Sequence, residues 1–301
     1  MKLPQFFRDI KEKLRPARYK LSQSRLIKAN TNTYNTYHGY IMDINNPQTF
    51  TEKIQWYKFY YDNDDFVNIV DKYLFKNYIK EKLGEGYTIP FFGYWTSVKE
   101  LEKDWDKLPE EFCLKSTLSS GGLNIKMIHN KSTIDFKKLR KELKGWLKPK
   151  NTMLDSFCKA YYKATPGILA EEYIQNVKDQ LFDYKFFCFD GEPYCIYTAV
   201  EHFSEKGSTI TFYDLNWKKL DVQYGNHEVG DLPKPKHFEE MLAISRKLSQ
   251  GFPFIRIDFF NTEDKLLIAE MTLYPGGGFT PYHPVSFDET LGHLFKLPPL
   301  E

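Results

Sequence analysis

Three features of this 301-residue chain predict an α+β fold with mainly antiparallel sheets. Near the C terminus, two apolar runs, Ile255 to Phe260 and Leu266 to Leu273, flank the polar stretch Asn261 to Lys265, which is the pattern of a β-hairpin. Upstream, DYKFFCFDGEPYCIYTAV (183–200) reads as two strands broken by a turn at Asp190-Gly191. The order of elements is the third: helices, strands with a Gly-rich turn, helices, a long strand set, a helix, and the final hairpin.

Taken in order, residues 4–15 form a candidate amphipathic helix, with Phe6, Phe7, Ile10 and Leu14 on one side and Arg8, Lys11, Lys13 and Arg15 around it, ended by Pro16. It suits either a foot on an anionic membrane surface or a helix packed on its own protein. Residues 29–50, including TNTYNTYHGY, are polar and read as loop. From Phe66 the helical spacing of Phe66, Ile69, Val70, Tyr73 and Leu74 predicts one helix, stopped by Gly84. YTIPFFGYW and EEFCLKS read as strands on either side of a charged helical piece, Val98 to Asp106. Residues 133–163 read as mostly helical, GILAEEYI as a strand, and 237–251 as a helix closed by glycine.

A hydrophobic fraction of 42%, with 25 Phe and 21 Tyr, describes a folded chain with a real core, and a net charge of +2 gives no reason to expect a nucleic-acid partner. Residues 1–28 are the exception, holding nine Lys or Arg against Asp9 and Glu12. Cys113, Cys158, Cys188 and Cys195 show neither CxxC nor zinc spacing. Free thiols in apolar runs fit a reducing cytoplasm. No run approaches the roughly 18 apolar residues of a membrane span, and MKLPQFFRDIKEKLR lacks the apolar centre of a signal peptide.

If the hairpin turn centres on Asp264, Asp258 faces Glu270 and Arg256 faces Thr272, with Ile257, Phe259, Ala269 and Met271 on the opposite face. Cross-strand carboxylates about 5 Å apart call for Mg2+, Mn2+ or a lysine between them; on a solvated face, surface lysines would serve. Pro275-Gly276-Gly277-Gly278 follows at once and offers backbone without Cβ atoms. In EFCLKSTLSSGGLNIKMI (111–128), Lys115 closes a strand before the turn Ser119-Ser120-Gly121-Gly122, whose exposed N–H groups suit phosphate oxygens; GxxxxGK[ST] is absent. Asp71-Lys72, inside the helix pattern, reads on its own as a solvated face. Glu171 and Glu172 interrupt an apolar strand, LAEEYI, which suits a nucleotide-base slot. GxSxG, HExxH and a Cys-His signature are all missing, and His202 and His283 are substrate contacts or ordinary histidines.

In this order the motifs resemble those of ATP-grasp enzymes. NPQTFTEKIQWYKFY, DKYLFKNYIKEKLGEGY, LPEEFCLKSTLSSGG, AEEYI, DYKFFCFDGEP and AEMTLYPGGG resemble, more narrowly, the TupA-like family of bacterial capsule and cell-wall polysaccharide clusters. The resemblance implies two α+β lobes clasping ATP, residues 71–172 and 173–301, after a basic, helical N-terminal region, 1–70. It implies that Lys72 and Lys115 bind phosphates under a mobile loop, Ser119 to Gly122, and that Glu171, Glu172, Tyr173 and Ile174 hold adenine. Asp183 and Lys185 resemble the D-x-R pattern of RimK-like ligases, with Lys for Arg. Asp258 and Glu270 would hold Mg2+ (or Mn2+), with Thr272 in the place of the usual Asn, and Arg256 would steady the transferring phosphoryl group; Arg256 and Lys115 are the implied catalytic residues.

The implied activity is an ATP-dependent carboxylate-amine ligase acting through an acyl phosphate and joining an amine or amino acid to a carboxylated sugar. The enzyme would be cytoplasmic and visit the inner membrane face. A sugar kinase, a glycosyltransferase and a non-enzymatic scaffold of a capsule complex are the alternatives. Trp56, Tyr57 and Tyr60 are candidates for stacking on sugar rings or for core packing. The strand pattern expected of an N-terminal acceptor lobe is missing before Asp71.

Overall fold

A computed structural model describes residues 18–153, 156–174, 181–201, 208–225, 230–261 and 265–299. The amphipathic segment 4–15, His202 and the tip of the final hairpin lie outside the described residues. Helices α1 (Gln23–His38), α2 (Phe50–Tyr60), α3 (Phe66–Val70) and α4 (Lys72–Leu83) come first. Then follow β1 (Phe91–Trp95), α5 (Val98–Asp104), β2 (Phe112–Ser116), β3 (Ile125–Ile128), α6 (Phe136–Trp146) and β4 (Ile168–Glu171). The rest of the chain forms β5 (Leu181–Phe189), β6 (Glu192–Glu201), β7 (Ser208–Asp214), β8 (Gln223–Tyr224), α7 (Phe238–Ser249), β9 (Phe254–Asn261), β10 (Leu266–Thr272), β11 (Tyr282–His283) and α8 (Val285–Leu294). No helix among the described residues is long and apolar enough to cross a membrane.

The strands form a four-stranded sheet in the order β1-β4-β2-β3, a five-stranded sheet in the order β10-β9-β5-β6-β7, and the pair β11-β8. Every pairing is antiparallel. The four-stranded sheet buries one face under helices and leaves the other partly exposed, whereas the five-stranded sheet is covered on both, since Phe187, Phe189 and Phe254, on the face of Arg256, pack against Phe50 of α2. In the smaller sheet, Trp95, Phe112, Leu114, Ile128, Ile168 and Ala170 pack against Val98 and Leu101 of α5 and Leu139, Leu143 and Trp146 of α6. In the larger sheet, Phe186, Cys188, Ile255, Ile257, Phe259 and Met271 join Phe238, Met241 and Leu248 of α7 in a core that also takes in α2, α3, α4 and α8. Period-2 alternation makes the division, because successive side chains of a strand point to opposite faces.

Several expectations change. Residues 29–38, expected as part of a loop over 29–50, belong to helix α1: Leu26, Asn30 and Tyr34 are buried four residues apart, and the hydroxyls of Thr33 and Thr36 turn back onto the carbonyls of Ala29 and Asn32. The single helix expected from Phe66 is two, because Asp71 is extended (φ −91°, ψ 118°) and its carboxylate accepts from the N–H groups of Tyr73 and Leu74. It is an N-cap, the position at which a short acidic side chain outcompetes helix continuation. Among the described residues of 133–163 there is one α-helix, α6, followed by 3-10 turns. Trp56 and Tyr57 are buried in the molecule and Tyr60 is partly buried, so Trp56 and Tyr57 offer no face to a ring. All four cysteines are buried free thiols.

The final hairpin has the expected facing pairs, Asp258 with Glu270 and Arg256 with Thr272. A bulge between Ile268 and Glu270 leaves Ala269 unpaired, so Phe259 faces Ile268 and not Ala269. Asp190 and Gly191, both at positive φ (49° and 83°), close the β5–β6 turn, the conformation of a tight hairpin with twist matched to its strands.

Candidate active site

The open face of the four-stranded sheet is set by register. Glu171 lies opposite Cys113 and Phe91, Cys113 opposite Met127, and Lys115 opposite Leu169 and Ile125. Lys115 and Glu171 therefore share a face with Phe91, Ile125 and Met127, which are 41%, 37% and 45% exposed. Large apolar side chains left open beside an ion pair mark a ligand surface more readily than a solvated one. None of the three is apparent from the sequence motifs; the signal is the alternation of IKMI read against FCLKS once their pairing is known.

Helix α4 lies at the edge of this face. Tyr73 stacks on Tyr94 with ring centroids 4.1 Å apart and meets Phe91 edge-on at 5.5 Å. Lys72 and Lys76, one turn apart, point the same way. Lys76 is 2.5 Å from one oxygen of Glu171 and donates to the carbonyl of Ile89 at 2.6 Å, while Lys115 is 2.6 Å from the other oxygen. Burial favours the neutral form of Glu171, but the two ammonium groups outweigh it and its carboxyl lies below the ordinary range. Burial likewise opposes the charge of Lys115, and Glu171 reverses the balance so that its pKa rises. Lys76 and Lys72 stay lowered, mainly by burial.

Lys72 reaches the turn that follows β2, where its ammonium donates to the carbonyl of Ser119. Ser119 is buried and its hydroxyl donates to the carbonyl of Ser116 at 3.0 Å, which makes it the root of the turn. Ser120, Gly121 and Gly122 project into solvent. Gly121 and Gly122 have φ of 62° and 72° with open space where a Cβ would stand, so glycine is required there for backbone angle and not for room.

The face of the five-stranded sheet turned away from α7 carries the other group, largely out of solvent. Lys185 lies opposite Asp258 and Tyr197, and Phe187 opposite Arg256. The Arg256 guanidinium grips Asp258 in bidentate fashion, Nε to Oδ1 at 2.7 Å and Nη2 to Oδ2 at 2.6 Å, and donates to the hydroxyls of Tyr197 at 3.2 Å and Thr272 at 3.0 Å. Lys185 bridges Asp258, at 2.7 Å, and Asp183. Asp258 is 1% exposed; burial works against its charge, but Arg256 and Lys185 outweigh burial and hold its pKa down. At Asp183 burial wins, and the carboxyl is pushed up to about 6.

The two groups face one another. Glu270 on β10 is the anion that raises the proton affinity of Lys72 most, and it acts on Lys115 and Arg256 as well. Lys72 and Lys115, with Glu171 beside them, thus lie within electrostatic reach of Glu270, next to the cluster of Asp183, Lys185, Arg256, Asp258 and Thr272. Glu172, Tyr173 and Ile174 lie past the end of β4; Glu172 is exposed, its N–H donates to the carbonyl of Pro90, and Tyr173 meets His129 edge-on. After β10, Gly276 to Gly278 take positive φ of 56° to 64°, and Gln55 of α2 donates to the carbonyls of Gly277 and Gly278 at 3.1 and 2.6 Å, with Lys58 also on Gly277. A Cβ on Gly278 would stand 2.4 Å from the Gln55 amide nitrogen. Lys76, Tyr197, Gln55 and Lys58 are additions that the sequence motifs do not reveal.

A family model described as TupA-like ATPgrasp matches residues 52–296. No curated protein matches the sequence significantly. Among solved structures, the chain is similar to the D-alanine-D-alanine ligase of Helicobacter pylori, at 19% identity over 76% of this chain and 61% of that one, with a TM-score of 0.40. It is also similar to the D-alanine--D-alanine ligase of Bacillus anthracis complexed with ATP (17% identity, 68% and 55% covered, TM-score 0.40). The third is N5-carboxyaminoimidazole synthetase of Staphylococcus aureus complexed with ADP (14%, 77% and 53%, TM-score 0.41). The chain spans between 53% and 61% of the length of these three structures.

Proposed function

Because this chain belongs to the TupA-like ATP-grasp family, we propose that its cleft binds ATP and serves an ATP-dependent carboxylate-amine ligase that joins an amine or amino acid to a carboxylated sugar of a bacterial surface polysaccharide or its precursor. The observation that carries the reading is the opposition of Lys72 and Lys115, on one side of the cleft, to Glu270 and the Arg256–Asp258 pair on the other. A carboxylate is a poor electrophile, and activation by phosphoryl transfer is the chemistry such a charge arrangement favours.

In this reading the first lobe, 71–172, supplies lysines and flap, and the second, 173–301, supplies carboxylates and arginine, with 1–70 as the basic N-terminal region. The exposed apolar face of Phe91, Ile125 and Met127 forms the bed for adenine beside the backbone of Glu171 to Ile174. Lys72 and Lys115 neutralise phosphate oxygens, and Ser119 to Gly122 fold over them to keep water out. Arg256 enters preorganised: of the five N–H bonds of a guanidinium, those engaged hold it to Asp258, Tyr197 and Thr272. Nη1 retains the one N–H not used in these contacts for an oxygen of the group in transfer. The sugar carboxylate would attack the terminal phosphorus with ADP leaving, and the amine would then attack the acyl carbon, losing a proton as phosphate departs.

The donor set fits Mg2+ in one form. Asp258 and Glu270 stand in facing positions, Oδ1 of Asp258 accepts only from Nε of Arg256 in this network, and among the described residues there is no group of three or more His, Cys, Asp or Glu that would cage a metal. Mg2+ is commonly held by one or two carboxylates plus phosphate oxygens and water, and when bound it would offset phosphate charge. Thr272 is engaged by Arg256, which favours an anchoring role for its hydroxyl over ligation. A cytoplasmic location and contact of the basic N terminus with the inner membrane face belong to the same proposal.

The test is ADP release with hexuronic acids, singly and with amino acids. Ligation requires both acceptors and gives an amide. ADP with a phosphorylated sugar and no amine requirement would replace the ligase with a kinase.

A further inference from the structure

We propose that Lys76 is a positioning residue that lets Lys115 serve a phosphate, a reading that rests on the cleft binding a nucleotide. Glu171 is 5% exposed and sits between two ammonium groups, 2.5 Å from Lys76 and 2.6 Å from Lys115. Were Lys115 its only cation, the buried carboxylate would claim that charge entirely, because a desolvated carboxylate needs a full counter-charge. A phosphate would then meet a neutral pair. Lys76 supplies the missing cation from the next turn of α4, and it is fixed there by the carbonyl of Ile89 at 2.6 Å. Its side chain is 6% exposed, so it acts through Glu171 and not by touching ligand. The triad has a net charge of one cation, and Lys115, at 19% exposure, is the member open to the cleft.

Two ligands separate this role from simple support of the fold. MgADP reports on phosphate and base together, adenosine on the base alone. Lys76→Met should weaken MgADP by about tenfold, the size of one partly screened charge, and leave adenosine binding within about twofold. Lys76→Arg should bind MgADP like the wild type. Lys76→Met/Glu171→Gln, which removes both charges, should return MgADP affinity to within about threefold of wild type. Titration calorimetry with each ligand, alongside melting curves, reads all of these. Equal weakening of both ligands, unchanged MgADP affinity in Lys76→Met, or absence of rescue in the double variant overturns the proposal. If Lys76→Met does not fold, the double variant carries the test, and a tenfold loss of MgADP affinity there overturns it. A wild type that binds neither ligand refutes the nucleotide reading, and this proposal falls with it.

Discussion

Replacing Lys185 by methionine tests whether the Asp183–Lys185–Asp258 cluster is held as described. The Lys185 side chain is 12% exposed and those of its partners Asp183 and Asp258 are 14% and 1% exposed. Removing one member of a buried ion pair costs about 3–5 kcal/mol, because the partner is left charged and uncompensated. Asp258 keeps both of its bonds to Arg256, which places the loss at the lower end, about 3 kcal/mol, near neutral pH. Asp183 is different: its other oxygen is buried with no partner, and Lys185 is its nearest cation.

The pH dependence follows from Asp183. Its carboxyl titrates at about 6 in the folded protein against an ordinary value of 3.8, so the native state binds the extra proton between those values. The stability associated with that proton is complete below the unfolded pKa and lost as pH rises through the folded one. Without Lys185 the folded pKa rises further and the loss extends to higher pH. The deficit of Lys185→Met should therefore be about 3 kcal/mol at pH 8.5 and shrink to about 1–2 kcal/mol at pH 5.5. Urea unfolding of both proteins across that range measures it. A deficit that is flat with pH, or below about 1 kcal/mol throughout, would refute the reasoning and mean that the cluster is solvated.

Three more outcomes are expected. Gly278→Ala should cost at least about 3 kcal/mol, since the new Cβ would press on Gln55 and Ile54 at positive φ, whereas Gly122→Ala, with open space around it, should cost only the left-handed backbone penalty of about 1–2 kcal/mol; equal melting temperatures for the two variants would contradict this. Glu171→Gln should flatten the acid limb of the stability curve. The Glu171 pKa is depressed, so its contribution is complete above the ordinary carboxyl value and lost as pH falls through the folded one, and an unchanged acid limb would place the charge elsewhere. Thr272→Val should cost no more than about 1.5 kcal/mol and lower turnover without changing Mg2+ dependence, because the hydroxyl anchors Arg256; a raised Mg2+ requirement would return Thr272 to the metal.

The hairpin was legible because its polar turn fixed the register and its alternation fixed the faces, so Asp258 and Glu270 could be paired before any coordinates. The bulge at Ala269 was not, since one extra residue in a strand leaves no mark in an apolar run. Helix α1 was hidden by Asn and Thr, poor helix formers whose side chains here bond back to the backbone and whose buried stripe is only Leu26, Asn30 and Tyr34. Asp71 looked like a helix interior because its apolar neighbours keep helical spacing on both sides; its capping bonds break the helix. Lys76 was invisible for a different reason. A lysine on a charged helix reads as a solvated face, and only the pairing of β4 with β2 places Glu171 beneath it.

The central claim is that Asp258 and Glu270 complete a nucleotide-phosphate site whose other half is Lys72 and Lys115. The most direct measurement is a thermal-shift titration of ATP, with and without Mg2+, into the wild type and into Asp258→Asn/Glu270→Gln. Binding to the native state raises its melting temperature in proportion to the logarithm of ligand over Kd. The account predicts an ATP-induced rise that requires Mg2+ in the wild type and disappears in the double variant. No rise in either protein, or the same rise in both regardless of Mg2+, would contradict it.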